Sequence, residues 1–542
     1  MNNAIFNFPI PSNEPVLDYK KNSPERQQLE TELDKQLTNP IDIPLIIGGK
    51  EIRTKQTGQV RMPHRHSHVL ATYYKATEVE VDMAIQAALD AQKIWSDLSW
   101  TVRASILLKA AELISGKYRA TMNAATMLGQ SKNIFQAEID AVCETIDFLK
   151  FNAFFASRIY EMQPRSAFNQ LNKMEFRPLE GFVFAVSPFN FTSIASNLNM
   201  APVMMGNTTV WKPATTSLLS NYYLMKIFQE AGLPDGVINF VPGSGAVIGK
   251  KVLESPDLAG IHFTGSNETF NHLWGEVAKQ LPHYKSYPRL IGETGGKNFI
   301  FVHPSATAKE VAVNAYRGAF EFQGQKCSAV SRMYVPESLW PEIKSELIEI
   351  SSDARMGDVI DPVNFINAVI DEGSFDNVMN YITFAQNSDE AEIIAGGQGD
   401  KSVGYFVEPT IIVTTNPKFK SMQEEIFAPV LTIFIYQDDK MQETLELCNA
   451  TSPYGLTGAV FARDRVAASL MCEQLRYAAG NFYINDKPTG AIVGLQPFGG
   501  SRASGTNDKA GGEFNLIRWI SPRTIKETFQ PATEYRYPYM IE

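Results

Sequence analysis

The stretch Phe182–Phe191, which reads Phe-Val-Phe-Ala-Val-Ser-Pro-Phe-Asn-Phe, decides the fold because an apolar run passes directly into a polar turn. Three more short apolar runs follow it, and helical patterns separate them. The runs are Thr208–Trp211, Val237–Val241 and Gly260–Phe263, and the helices are Ile194–Met205, Leu218–Ala231 and Ser244–Glu254. Short buried strands that alternate with helices are typical of a parallel, doubly wound sheet, which binds ligands at the carboxyl ends of its strands.

The same alternation begins again after Gly296. The predicted strands are Phe299–Val302, Met333–Val335, Phe406–Val413, Val430–Tyr436 and Leu456–Phe461, with helices at Lys309–Phe320 and Trp340–Ser351. Two α/β units therefore flank a segment that holds Glu293 and Cys327. Upstream, residues 77–161 show three amphipathic helical patterns. The proline-rich residues 1–40 predict an extended arm that ends in a short charged helix and carries no recognisable chemistry.

The net charge of −10 and the lack of a basic run argue against a nucleic-acid partner or an anionic membrane surface. No apolar stretch approaches the ~18 residues of a membrane span. The four cysteines are scattered, which indicates free thiols in a reducing compartment; they are Cys143, Cys327, Cys448 and Cys472. Because the first thirty residues also lack an apolar signal core, we predict a cytoplasmic protein.

A carboxylate and a thiol stand in glycine-bearing segments, Glu293 in Glu-Thr-Gly-Gly-Lys and Cys327 in Gly-Gln-Lys-Cys-Ser-Ala. A thiolate attacks carbonyl carbon, and a carboxylate held near the adduct takes a proton from water. The pair is suited to acyl chemistry. On its own the pattern leaves the alternative that Cys327 is a small buried hydrophobic residue.

Polar residues also follow the first group of strands. Asn190 could donate a hydrogen bond to an oxyanion or cap the next helix. Lys212 could reach ribose hydroxyls or lie solvated in a turn. Gly265 and Ser266 open a helix whose N-terminus could receive a pyrophosphate. A second glycine cluster, Gly243-Ser244-Gly245 with Gly249, departs from the dinucleotide fingerprint by one residue of spacing.

Three alternating histidines, His64, His66 and His68, would lie on one face of a strand. No carboxylate or cysteine cluster accompanies them in the sequence, so we predict no metal site.

Taken in order and spacing, seven motifs resemble those of the aldehyde dehydrogenase superfamily over about residues 45–530. They are Ser187-Pro-Phe-Asn-Phe191, Trp211-Lys-Pro-Ala214, Phe263-Thr-Gly-Ser266, Glu293-Thr-Gly-Gly296, the Gln-x-Cys-Ser segment at Gln325–Ser328, Glu425-Ile-Phe-Ala-Pro429 and Pro497-Phe-Gly-Gly500. Within the superfamily, the segments around Cys327, Tyr483–Gly490 and Ser501–Lys509 are similar to the branch that oxidises L-glutamate γ-semialdehyde.

This resemblance implies roles for individual residues. Cys327 would be the nucleophile, Glu293 the base that activates water, and Asn190, with the Cys327 amide, the oxyanion donor. The implied cofactor is NAD, contacted by Ser187, Lys212, Gly265, Ser266 and Glu425. For the substrate, Glu144 would pair with the α-ammonium group, and the other implied contacts are Phe191, Ser328, Gly490, Ala491 and Phe498.

Two positions depart from the family pattern. Relatives often carry Ser where this chain has Ala491, so the substrate carboxylate would depend on backbone amides. Thr215 stands where many NAD-preferring members carry Glu, so we expect NADP to be tolerated as well.

The resemblance further implies an α/β fold of the aldehyde dehydrogenase type, with two doubly wound parallel-sheet domains and a β flap. The predicted division is an N-terminal arm at 1–44, an NAD-binding domain at 45–160 and 178–293, a catalytic domain at 294–512, and an oligomerisation segment at 161–177 and 513–542. The exposed alternating strand Ser521–Phe529, together with Lys173–Phe176, predicts a homodimer or higher homo-oligomer.

Other functions remain open from sequence. The chain could oxidise another aliphatic or carboxylated semialdehyde, or acylate coenzyme A, although that reaction needs no water-activating Glu293. It could be a cysteine hydrolase, which requires a histidine paired with Cys327; the central candidates are His262, His272, His283 and His303. It could also be a catalytically silent scaffold.

Overall fold

The computed structural model describes residues 8–541, so residues 1–7 of the predicted arm lie outside the described part. Two seven-stranded sheets organise the chain. The first sheet has the spatial order Arg289–Glu293, Leu258–Thr264, Phe182–Val186, Thr209–Lys212, Ile238–Phe240, Leu45–Ile47 and Lys50–Ile52. The second has the order Ala391–Ala395, Thr410–Thr414, Val430–Tyr436, Val330–Pro336, Asn298–Val302, Thr457–Phe461 and Asn481–Ile484.

Both sheets are parallel except at one edge. In the first sheet the strand Leu45–Ile47 runs antiparallel to Ile238–Phe240 and forms a hairpin with Lys50–Ile52. In the second sheet Ala391–Ala395 runs antiparallel to Thr410–Thr414. Parallel strands need a crossover between them, usually a helix, which is why the chain alternates strand and helix.

Both faces of each sheet are buried, as the doubly wound prediction requires. In the strand Phe182–Val186, Phe182 and Phe184 join one apolar cluster, whereas Val183 and Ala185 join a second cluster on the opposite face. The second sheet divides its residues in the same way. Successive side chains of a strand point to opposite faces, so two clusters per sheet mean a cover on each face. The predicted α/β fold class is confirmed.

The helices fill the crossovers and the segments before and after the sheets. The α-helices are Pro24–Thr38, Glu78–Trp95, Trp100–Ser115, Arg119–Gln130, Ile134–Ala137, Thr145–Tyr160, Thr192–Met204, Leu218–Glu230, Gly245–Glu254, Asn267–Gln280, Ala308–Phe320, Trp340–Asp353, Glu372–Gln386, Lys420–Gln423, Met441–Ala450, Arg465–Gln474 and Glu513–Ile517. Within residues 8–541, no helix has both the length and the apolar character needed to cross a membrane.

Two details of the predicted pattern are wrong. The run Phe406–Val413 is not one strand, because Pro409 separates Phe406–Val407 from Thr410–Thr414 and proline has no N–H for a ladder. Residues 77–161 hold more than three helices, since a π-helix, Glu138–Glu144, joins two α-helical segments. The last of these, Thr145–Tyr160, is buried on most of its surface and so shows little helical period in sequence.

The three histidines do not converge. His64 is buried outside the strand Arg65–Tyr74, with Nδ1 3.2 Å from the Ser131 hydroxyl. His66 and His68 instead contact separate backbone carbonyls, those of Lys401 and Leu37. Among residues 8–541, no three His, Cys, Asp or Glu side chains are grouped to hold a metal ion.

An exposed two-stranded ribbon stands apart from the sheets. Gln170–Pro178 pairs antiparallel with Ile520–Thr528 along the full length of both strands. A smaller three-stranded sheet has the order Ile41–Ile43, Arg65–Tyr74 and Thr57–Met62. The ribbon agrees with the predicted strand pair, and its pairing with another subunit stays a prediction.

One buried carboxylate, Asp140 of the π-helix, fixes the start of the helix Thr192–Met204. Its Oδ2 accepts hydrogen bonds from Lys132 Nζ at 2.5 Å and from the Thr192 amide at 3.1 Å. Its Oδ1 accepts from the Ser193 amide at 3.0 Å and hydroxyl at 2.8 Å. A carboxylate at a helix N-terminus satisfies otherwise unpaired N–H groups. This helix directly follows the turn that carries Asn190.

We predict that Asp140→Ala lowers the free energy of unfolding by about 3–5 kcal/mol, because it leaves the Lys132 charge buried without a partner. Urea unfolding followed by circular dichroism measures the change. Glu276→Ala is the control, since it breaks an exposed pair with Lys279 and should leave the unfolding midpoint in place. Equal effects of the two substitutions would contradict the importance of the buried pair.

Candidate active site

A strained turn brings Cys327 to the space between the two sheets. Phe322, Gln323 and Gly324 are consecutive residues in the left-handed region, with φ of 51°, 55° and 65°. This conformation costs roughly 1–2 kcal/mol for each residue with a side chain. At Gly324 a Cβ would lie 2.2 Å from the carbonyl oxygen of Ala428, so only glycine fits.

Side-chain hydrogen bonds hold this turn in place. Gln323 Nε2 donates to the carbonyls of Ser131 at 3.0 Å and Ala368 at 2.8 Å. Gln325 Oε1 accepts from the Ile370 amide at 2.9 Å. Strained backbone persists where its surroundings over-determine it, and it occurs often at functional sites. The turn therefore holds the Cys327 thiol rigidly in place.

Glu293 is the last residue of the strand Arg289–Glu293, at the carboxyl edge of the first sheet. The loop after residue 500 pins this edge, since the Gly292 amide donates to the Thr506 hydroxyl at 3.0 Å and the Thr294 amide to the Ser504 carbonyl at 3.0 Å. Removal from water raises the pKa of Glu293 to about 8; the nearby Lys509 opposes this rise and Asp508 adds to it. Lys509 and Asp508 had no assigned role in the sequence analysis.

Cys327 and Glu293 line one cavity of about 350 Å³. Burial raises the pKa of the Cys327 thiol well above its usual range, and the carboxylates of Glu293, Glu425 and Glu144 raise it further. The sulfur is therefore held as a thiol at neutral pH until a base or a positive charge comes near.

The structure brings all six predicted substrate residues to this same cavity, namely Glu144, Phe191, Ser328, Gly490, Ala491 and Phe498. Glu144 Oε2 accepts a hydrogen bond from the Ser193 hydroxyl at 2.8 Å. Burial, and then the charge of Asp140, raises the pKa of Glu144 to about 8. The hydroxyls of Ser328 and Thr489 are 2.8 Å apart. The cavity thus joins a thiol, a base and a set of polar groups suited to an amino acid.

Asn190 lies behind this cavity. It is buried, and its Nδ2 donates to the Gln325 carbonyl at 3.1 Å, two residues before Cys327. The helix that follows begins with Phe191 as its N-cap, so the alternative that Asn190 caps that helix is not observed. Its predicted role toward an oxyanion stays a prediction.

The predicted cofactor residues Ser187, Lys212, Gly265 and Ser266 follow or end three neighbouring strands of the first sheet. Within residues 8–541, nothing accepts a hydrogen bond from the Lys212 ammonium group, and burial lowers its pKa. Its Cε lies 4.0 Å from the point where a Cβ on Gly245 would be, and Gly245 is the first residue of the helix Gly245–Glu254. An unpartnered ammonium group beside a helix N-terminus fits the hydroxyl and phosphate oxygens of a nucleotide.

Glu425 approaches from the second sheet. Its Oε1 accepts a hydrogen bond from the Gly296 amide at 2.7 Å, and burial raises its pKa to about 7. A Cβ on Gly295 would lie 2.0 Å from its Oε2, so a larger residue there would displace the Glu425 carboxylate. The Glu-Thr-Gly-Gly segment therefore carries Glu293 and also gives Glu425 its place.

The arm is where the sequence analysis is wrong about the site. Asn13, Glu14 and Val16 line the cavity that contains Cys327, although residues 1–40 had been assigned no chemistry. No local sequence pattern identifies these three residues as part of the cavity. The hydrogen bond from Asn13 to the Val493 carbonyl, for example, joins residues 480 positions apart.

The structure gives no support to a cysteine hydrolase. Of the four candidate histidines, only His262 lines the cavity. Its Nδ1 is 2.9 Å from the Leu198 carbonyl, its ring contacts Trp519, and burial lowers its pKa to about 3. Among the described residues, no histidine hydrogen-bonds to Cys327.

Known proteins resemble the whole chain. The delta-1-pyrroline-5-carboxylate dehydrogenase, mitochondrial, of Dictyostelium discoideum is 50% identical over 542 residues, which cover 99% of this chain and 97% of that protein. The Homo sapiens protein of the same name is 49% identical over 531 residues, 98% of this chain and 94% of its own. The crystal structure of the Mycobacterium tuberculosis delta-pyrroline-5-carboxylate dehydrogenase bound with NAD matches with a TM-score of 0.96, 48% identity and full coverage of both chains.

The predicted cytoplasmic location is contradicted by these relatives. Those from Dictyostelium discoideum, Mus musculus and Homo sapiens are all named mitochondrial. The prediction depended partly on free cysteines, which indicate a reducing compartment and do not distinguish the cytoplasm from the interior of a mitochondrion.

The family itself is shown by a direct match. The model of the aldehyde dehydrogenase family matches residues 52–525, which include both sheets apart from two strands at the edge of the first. The chain therefore belongs to the aldehyde dehydrogenase family.

Proposed function

We propose that the protein oxidises L-glutamate γ-semialdehyde, the open form of pyrroline-5-carboxylate, to L-glutamate with NAD, in the second step of proline breakdown. The observation that carries the proposal is the single cavity in which Cys327 and Glu293 meet the polar groups around Glu144 and Gly490. Relatives with this named activity span the whole chain at about half identity.

The reaction divides into an oxidation, which forms a thioester on the enzyme, and a hydrolysis, which releases the acid. Cys327 Sγ adds to the aldehyde carbon and forms a thiohemiacetal, whose oxyanion accepts hydrogen bonds from Asn190 Nδ2 and the Cys327 amide. Loss of a hydride from that carbon leaves a thioester. Glu293 then takes a proton from a water molecule as its oxygen attacks the thioester carbon, and glutamate leaves as the Cys327 sulfur regains a proton.

The thiol must lose its proton before it attacks. Glu293 is the nearby carboxylate whose charge acts most strongly on it. We therefore assign Glu293 to both proton transfers. It takes the proton of the thiol at the start and passes it to solvent, and it later takes a proton from water and returns it to the Cys327 sulfur as glutamate leaves.

The residues of the first sheet fit a bound dinucleotide. Bound NAD supplies the hydride acceptor. Lys212 and Glu425 hold ribose hydroxyls in this proposal, while Gly265 and Ser266 receive the pyrophosphate at the start of the helix Asn267–Gln280. Thr215, three residues after Lys212, is not an acid and so would not repel the 2′-phosphate of NADP. We therefore expect measurable turnover with NADP.

In this proposal, the α-amino acid end of the substrate lies at the end of the cavity away from Cys327. Its ammonium group faces Glu144 and favours the ionised form of that carboxyl, whose pKa is otherwise raised to about 8. Its carboxylate accepts from the amides around Gly490 and Ala491 and from Ser328. Phe191 and Phe498 enclose the methylene groups.

We also propose the domain division given above and a homodimer or higher homo-oligomer. The first sheet takes its strands from residues 45–52 and 182–293, and the second takes its strands from 298–484, which supports the division. No third strand among residues 8–541 pairs with the ribbon, and beyond it Tyr535 and Tyr539 are more than four-fifths exposed. Exposed strand edges and aromatic side chains favour contact with a second copy.

The substrate is tested by comparison of two aldehydes. We expect kcat/KM for glutamate γ-semialdehyde to exceed that for pentanal by at least about 100-fold, because pentanal lacks both charged groups that the cavity binds. NADH formation by the purified protein measures both rates. An equal or reversed preference would favour the alternative of an enzyme for other aliphatic semialdehydes.

The base is tested by pH. Because Glu293 acts as a carboxylate and its pKa is raised to about 8, we expect kcat to rise with pH and to be half-maximal near pH 8. Glu293→Gln should lower kcat by about 100- to 10,000-fold and remove that inflection. Glu276→Gln, in a pair with Lys279 outside the cavity, is the matched control and should keep the wild-type profile. An inflection that survives in Glu293→Gln would assign the titration to another group.

The role of the serine hydroxyl that many relatives carry at position 491 is tested by Ala491→Ser. The added donor should lower KM for glutamate γ-semialdehyde by about five- to tenfold and leave kcat nearly unchanged, because the bond is made in the ground state and in the transition state alike. KM for pentanal should not change. If both KM values fall together, the hydroxyl acts on the cavity and not on the substrate carboxylate.

A further inference from the structure

The N-terminal arm forms part of the wall of the substrate cavity. Asn13, Glu14 and Val16 line it together with Cys327 and Glu144. Because the arm lines the cavity, its contacts with neighbouring residues help to set the shape of the cavity.

The amide of Asn13 joins two sides of the cavity. Its Nδ2 donates to Asp147 Oδ2 at 2.7 Å and to the Val493 carbonyl at 2.8 Å, which uses both of its protons. Asp147 lies three residues after Glu144, about one helical turn, and Val493 lies three residues after Gly490. One side chain therefore connects the two segments that carry the predicted contacts for the ammonium and carboxylate groups.

The backbone of the arm also contacts Asp147. The Glu14 amide donates to the second oxygen of Asp147 at 2.7 Å. The Glu14 carboxylate is itself held by Arg119 at 2.8 Å and by Lys150 at 3.0 Å. A side chain with two cationic partners is well fixed. The arm is thus anchored at the point where it touches Asp147.

A second pair of contacts lies at the other end of the π-helix. The Leu17 amide donates to Glu138 Oε1 at 3.1 Å, and the Tyr19 hydroxyl donates to Glu138 Oε2 at 2.8 Å. Glu138 is the first residue of the π-helix and Glu144 is the last. π-helical turns are rare and often lie at functional sites. The arm is therefore bonded to both sides of the segment that presents Glu144.

We propose that residues 13–19 are a positioning segment, which fixes the distance between Glu144 and the amides of Gly490 and Ala491 and so sets the affinity for the amino acid end of the substrate. The inference rests on the proposed function, because only a substrate with both charged groups would sense that distance. Asn13 is a positioning residue here, since it acts through Asp147 and Val493.

The test is Asn13→Ala, which removes the bridging amide and keeps the backbone bond from Glu14. We expect KM for glutamate γ-semialdehyde to rise about tenfold, with kcat within about twofold of wild type and KM for pentanal unchanged. Hydrogen–deuterium exchange should increase in residues 138–147 and 490–496. Tyr19→Phe, which removes one hydroxyl, should give a smaller rise in the same KM.

The matched control is Lys20→Ala, in the same arm, where the side chain is 80% exposed and pairs with Asp18. It should behave as wild type in all these measurements. An unchanged KM in Asn13→Ala, with wild-type preference for glutamate γ-semialdehyde intact, overturns the positioning role alone. A parallel loss for both aldehydes, or a lower melting temperature without a KM change, also overturns it, since each indicates a structural role. A wild-type protein without that preference overturns the proposed function, and the positioning role with it.

Discussion

The left-handed turn at Phe322–Gly324 is the constraint on which the site depends. Two of its three residues carry side chains and are held in an unfavourable conformation, and the turn sets the course of the chain to Cys327. The strain persists because Gln323 hydrogen-bonds to carbonyls from two distant parts of the chain, that of Ser131 in the first unit and that of Ala368 in the second. The same contacts that fix the thiol therefore also fix the two units against each other.

Three buried carboxyl groups act on this thiol. Burial raises the pKa of Glu293 and Glu144 to about 8 and that of Glu425 to about 7, and all three charges oppose ionisation of Cys327. A cation that enters such a site lowers the pKa values of its neighbours. In the proposed mechanism, binding of the substrate ammonium group and formation of the thiolate are thus coupled through electrostatics as well as through geometry.

The polar groups behind the cavity form a connected support. Asp140 neutralises the buried Lys132, caps the helix after Asn190, and bonds to the Ser193 hydroxyl that also donates to Glu144. The Lys132 ammonium group in turn lies over the rings of Phe191 and Phe322. The turn that carries Asn190, the Glu144 carboxyl group and the strained turn consequently share one buried network, whose members depend on each other.

Local sequence patterns predict the α/β class, most strand positions and the candidate reactive groups, because these depend on apolar runs of strand length, glycines at close contacts, and a polar residue directly after a strand. Phe182–Val186 followed by Asn190 is the clearest case. The folded structure alone shows that Asn13 belongs to the cavity and that buried carboxyls such as Glu144 have raised pKa values. These properties arise from residues far apart in the chain, and from desolvation that depends on what surrounds a side chain, so no local pattern encodes them.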